Sequence, residues 1–94
     1  MKCCDKIEFL GCFSACEPIN TGLIADSSGV WRIEIDYMGI TKYVSIDLKE
    51  NQQIIINEKL NEDYLHTIRI INPKKQLLQN KCFSFKTIKT LCLN

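Results

Sequence analysis

Six cysteines, a single histidine and eleven carboxylates are the side chains with chemistry to offer in this 94-residue sequence. Cys3, Cys4, Cys12 and Cys16 crowd the N-terminus, while Cys82 and Cys92 lie near the other end. An even cysteine count in a short exported chain would read as a disulfide framework. Four thiolates in the spacing CC-x7-C-x3-C could also surround a tetrahedral ion, with Cys82 supplied by a neighbouring strand. That spacing lacks the paired CxxC knuckles that set zinc geometry in ribbons and fingers. The opening MKCCDKIEFLGCF carries Asp5, Lys6 and Glu8 where a signal peptide needs an unbroken apolar segment. Ile, Leu and Phe are plentiful enough for a core without covalent staples. The expectation is mostly reduced thiols, several packed as small apolar groups. A disulfide or a metal site stands as the alternative, and no cofactor or resident metal is expected.

His66 falls in mid-strand on the side expected to face the core. A Cys–His nucleophile pair needs only proximity in space. However, no cysteine occupies a strand-to-helix turn, and no Asp or Asn is placed to orient the imidazole. Glu34 and Asp36 share one strand face at a spacing of two. Paired carboxylates can do acid–base work, but on the polar face of a sheet solvated charge is the ordinary state. The four glycines are dispersed singly, so no phosphate-cradling loop exists. The sequence predicts no enzyme.

The elements that must position these groups are strands. In WRIEIDY, Trp31, Ile33, Ile35 and Tyr37 alternate with Arg32, Glu34 and Asp36, a period of two with aromatic and β-branched residues on the core side. TKYVSIDL sets Val44, Ile46 and Leu48 against Tyr43, Ser45 and Asp47, so the two runs form an antiparallel hairpin turning at Met38-Gly39. Ile54-Ile55-Ile56 is a short strand, and a following loop holds Leu60. YLHTIRII puts Tyr64, His66, Ile68 and Ile70 on one face. Asn72-Pro73-Lys74-Lys75 is a turn, because proline presets φ and Asn tolerates the bend. A short strand near Leu77-Leu78 precedes KCFSFKT, where Phe83 and Phe85 alternate with Cys82, Ser84 and Lys86. The apolar stretch from Ile88 to Leu93 reads as docked. Earlier in the chain, Ile7 and Phe9 share a face until Gly11 breaks the pattern, and Leu23-Ile24-Ala25 is a short strand. The segment Leu60-Asn61-Glu62-Asp63-Tyr64 resembles the approach to a tyrosine corner. No apolar spacing is helical over ten positions. Seven to eight short strands with frequent turns predict an all-β, immunoglobulin-like antiparallel β-sandwich, one domain over residues 1–94.

With 46% apolar and 24% charged residues and a net charge of +1, the chain is neither disordered nor long enough for two cores. No apolar run approaches the roughly 20 residues of a membrane span, so no membrane partner is expected. Fourteen Ile against two Val, and ten Lys against two Arg, point to a low-GC genome. Charge is segregated. Residues 1–63 carry all eleven acids and sum to −5, whereas residues 64–94 sum to +6. The cations of that last third are Arg69, Lys74, Lys75, Lys81, Lys86 and Lys89, the candidate interaction residues. Phe83 and Phe85 beside Lys81 and Lys86 could stack on bases. Yet the acids cancel the charge and no RNA-binding signature appears, so nucleic acid is not the expected partner. Tyr43 is the one aromatic expected to be exposed, a thin platform for an alternative carbohydrate-binding or adhesion module. An acidic body with a basic third better suits docking onto a larger, complementary protein surface.

The segments GCFSACEPINTGL, WRIEIDYMGITKYVSIDL, LNEDYLHTIRIINP and KCFSFKT together resemble small β-sandwich virion proteins of low-GC tailed phages infecting Bacteroidota, the crAss-like group among them. The resemblance is one of layout over most of the chain, without a diagnostic motif, and carries over no functional residue. It implies an accessory structural protein that decorates or cements a capsid, in many copies per particle, with the major capsid protein as partner. Such a protein is made in the bacterial cytoplasm and resides in the virion.

Overall fold

Alternation of apolar and polar residues produces strands here because most of them bury one face and leave the other wetter. The computed structural model describes residues 4–15, 17–60 and 64–88, which form seven strands. These are β1 (Ile7–Ser14), β2 (Ile19–Ile24), β3 (Gly29–Tyr37), β4 (Ile40–Leu48), β5 (Gln53–Ile56), β6 (Leu65–Ile71) and β7 (Cys82–Ile88). They build an all-β sandwich of a five-stranded sheet, ordered β1-β7-β6-β3-β4, and a two-stranded sheet, β2-β5. Every pair is antiparallel except β1–β7, which is parallel. First and last strands share no hairpin, so no turn dictates their relative direction.

β3 and β4 pair without a slip from Gly29↔Leu48 to Tyr37↔Ile40. The turn between them uses two consecutive left-handed residues, Met38 (φ 48°) and Gly39 (φ 79°), the type I′ geometry that matches strand twist. In β1 the alternation breaks for a physical reason. The register with β7 shifts between Phe9↔Ser84 and Cys12↔Lys86, so Leu10 and Gly11 together oppose Phe85. This bulge sits at Gly11, with φ 124°. It leaves Ile7, Phe9 and Cys12 on one face and turns Leu10 and Phe13 toward the core. The strand expected near Leu77-Leu78 is instead a single bridge, Ile71↔Leu77, followed by a 3-10 turn at Leu78–Asn80. Gln79 and Asn80 both have positive φ, which no strand accommodates, and the curl buries Leu78.

The core lies between the sheets and joins Ile19, Leu23, Ala25, Ile54 and Ile56 of the smaller layer to Trp31, Ile33, Ile35, Ile68, Ile70, Phe83 and Phe85 of the larger. Trp31 is fully buried and its indole N–H donates to the Ser27 carbonyl at 3.1 Å, so the polar edge is satisfied. Ile68 has no exposed surface, and its truncation to Ala would cost about 2–5 kcal/mol through lost burial and the cavity left behind. The expected tyrosine corner depends on Asn61, Glu62 and Asp63, and the docked tail on positions beyond Ile88; both lie outside the described residues.

Candidate protein-interaction face

β7 is a central strand, paired with β1 along one edge and β6 along the other. Cys82, Phe83, Ser84 and Phe85 are all buried. Phe83 and Phe85, which next to lysines could have stacked on bases, therefore belong to the core. Phe13 meets Phe85 edge-on at 5.9 Å, and His66 stacks flat on Phe85 at 5.2 Å. His66 is fully buried on the inner face of β6. Its Nδ1–H donates to the Tyr64 carbonyl at 3.1 Å, which also accepts the Thr87 N–H at 3.0 Å. Nε2 finds no partner among the described residues. Burial pushes the imidazole pKa below its ordinary 6.5, against a smaller upward pull from the Tyr64 carbonyl.

The sequence predicts mostly reduced thiols with a disulfide as one alternative, and the described cysteines include one of each. Cys4 and Cys82 form a disulfide, with Cα atoms 6.0 Å apart. The fold makes this possible by pairing β1 with β7 at Ile7↔Cys82, which brings the segment just before β1 alongside the start of β7. Cys12 is free and exposed. It faces outward on β1 while His66 faces inward on β6, so these two do not form a nucleophile pair. Cys3, Cys16 and Cys92 lie outside the described residues. Among the described residues no three of His, Cys, Asp and Glu gather at one point.

The six basic candidates do not make one patch. Arg69 on β6 reaches across to Glu34 on β3, and the two side chains are only 18% and 11% exposed. Glu34 also accepts from Arg32 at 3.1 Å. Lys81 pairs with Glu8 at 2.6 Å and lies 5.8 Å above the Phe83 ring. Lys74 and Lys75 are exposed in the turn after β6, and Lys86 is exposed on β7 between Cys12 and Leu65. Lys89 lies outside the described residues. Arg69 and Lys81 are spent on internal carboxylates because the fold carries Glu34 and Glu8 from the acidic part of the chain against the basic part. Glu34 is thereby tied up, and Asp36 accepts the Thr41 hydroxyl at 3.2 Å, so the two carboxylates do not act as a pair.

What the sequence reading missed is the outer face of the five-stranded sheet. The cross-strand registers place Ile7, Phe9, Val30, Tyr43 and Leu65 there, exposed by 55%, 56%, 62%, 58% and 60%. Tyr43 is thus not the sole exposed aromatic, since Phe9 is equally bare and Tyr64 is 40% exposed. The Arg32 guanidinium lies 4.4 Å over the Tyr43 ring and occupies one face on which a sugar could stack. Only the bulge at Leu10-Gly11 could have signalled that Phe9 points outward. Small residues, Ser84 and Thr67, sit between Phe9 and Asp36 in one cross-strand row, which keeps the middle of the face low. No protein-family model, curated protein or solved structure matches the chain.

Proposed function

We propose that this is a non-enzymatic interaction module, an accessory protein of a tailed-phage virion that docks on the capsid lattice by the outer face of its five-stranded sheet. The observation that supports this reading is the set of five large apolar side chains, each more than half exposed, on that one face. Scattered exposed hydrophobes are ordinary, but several on a single broad sheet face mark a surface meant to be covered. Lys86 among them, and Lys74 and Lys75 at one end, supply charge at the rim. On a repeating lattice formed by a major capsid protein, many weak sites add by avidity, so no single contact need be strong.

The experiment is mass spectrometry and immunogold labelling of purified phage particles assembled with the wild-type chain or with Phe9→Ser and Leu65→Ser combined. Both positions are more than half exposed, so the double variant keeps its core. The wild type is expected in multiple copies per particle, with the variant largely lost. Particles that lack the wild-type protein would overturn the virion reading. Equal incorporation of the variant would overturn the docking face.

A further inference from the structure

The 72–75 turn is held rigidly over the start of β3. Gly29 has φ 141°, and a Cβ at that position would stand 2.7 Å from Cγ of Pro73, so glycine is what allows the turn to settle there. Asn72 is buried, and its Oδ1 accepts the backbone N–H groups of Lys74 at 2.9 Å and Gln76 at 3.0 Å. Its carbonyl accepts the N–H of Lys75 at 2.8 Å. The turn is therefore a fixed ledge beside the outer face, and between ledge and sheet runs a groove of about 340 Å³.

Val30, Ile71 and Pro73 give the groove apolar walls, and Arg32, Glu34 and Lys75 its polar rim. Among the lining residues Arg32 and Lys75 are cations and Glu34 is the one carboxylate, and Lys74 stands beside Lys75 on the exposed turn. Asp47 stands opposite Val30, and Glu34 is already bound by Arg32 and Arg69. The groove thus has excess positive charge over an apolar floor.

We propose that this groove receives an acidic segment of a partner protein, with one apolar side chain seated on Val30, Ile71 and Pro73. A flanking carboxylate of that segment pairs with Arg32 and Lys75. The inference rests on the docking reading and names the chemistry the partner must present. An inorganic anion would leave the apolar walls unused, and a basic segment would meet like charge. A fixed ledge also lowers the ordering cost of binding, because the turn does not have to be immobilised by its ligand.

The test is a titration of the ¹⁵N-labelled full chain with the peptide EDLED, with KKLKK as control, followed by amide shifts. EDLED is expected to move the amides of Val30, Arg32, Ile71 and Lys75, and KKLKK to move none of them. Lys74→Glu with Lys75→Glu should weaken EDLED binding by about tenfold through lost attraction and added repulsion. Val30→Glu, which places a carboxylate on the groove floor at an exposed position, should do the same, whereas Lys59→Glu should not. Shifts elsewhere, equal shifts with KKLKK, or shifts that light scattering traces to self-association would overturn the groove. No phage particle is involved, so failure here leaves virion docking standing, and absence of the protein from particles leaves the groove standing.

Discussion

Cys4 and Cys82 are joined although 78 residues of chain separate them, and the bond fastens the segment before β1 to the first residue of β7. β1 needs the fastening. It is an edge strand with a bulge, exposed over its first three residues, and only Leu10 and Phe13 reach the core. Closing so long a loop removes much freedom from the unfolded chain, worth about 4.5 kcal/mol in the chain-entropy account. Urea unfolding with and without a thiol reductant should therefore show a large drop in midpoint, reproduced by Cys4→Ser without reductant. An unchanged midpoint would mean the strand pairing alone holds β1.

His66 gives the fold a pH dependence whose sign follows from its burial. Desolvation lowers the folded-state pKa below 6.5, so as pH falls the unfolded chain takes up the proton first. Stability is then complete above about pH 6.5 and declines as pH falls below it. Urea midpoints at pH 7.5 and pH 5.5 should differ more for the wild type than for His66→Phe. The phenyl ring keeps the stacking between Tyr37 and Phe85 and removes Nε2, which has no partner among the described residues. Identical pH slopes for the two proteins would exclude His66 as the source.

The hairpin turn carries a residue poorly suited to it. Met38 holds φ 48° and is 73% exposed, while Asn and Gly are the residues that adopt this geometry readily. Met38→Asn should raise stability by about 0.5 kcal/mol, and Gly39→Ala, forced into φ 79°, should lower it by about 1 kcal/mol. Thermal melts of the two variants check both signs. A destabilised Met38→Asn would show that the methionine side chain makes a contact worth more than the backbone strain.

Legibility in the sequence followed the physics of each element. The β3–β4 hairpin and β6 were readable because one face is buried and the other wet, so the period of two survives in full. β7 was readable as a strand, and the burial of Phe83 and Phe85 came with it. Ser84 and Cys82, buried on the opposite side, look like any polar-face residues until β1 is laid alongside. β1 was obscured by its bulge, and the Leu77-Leu78 region by two left-handed residues that carry no glycine to announce them. The candidate site suffered most. Whether a lysine or arginine is free depends on which acid the fold brings to it, and Glu34–Arg69 and Glu8–Lys81 are separated by 35 and 73 positions.

That difference between free and paired cations is itself measurable. Arg69 and Glu34 are mostly enclosed by the outer face, so removing the guanidinium strands a carboxylate that Arg32 only partly compensates. Arg69→Ala should cost about 1.5–3 kcal/mol, the usual scale for a hydrogen bond to a charged group, and Arg69→Glu more because two carboxylates would then adjoin. Lys74→Glu and Lys75→Glu sit on an exposed turn and should stay within about 0.5 kcal/mol of the wild type. Urea unfolding of the variants separates the two classes. Loss of docking in Arg69→Glu would then report a damaged sheet and not a missing contact, so the electrostatics of docking must be read from Lys74, Lys75 and Lys86. Equal, negligible costs at all of these positions would mean that the Arg69–Glu34 pair is too well solvated to matter, and would return Arg69 to the set of free cations.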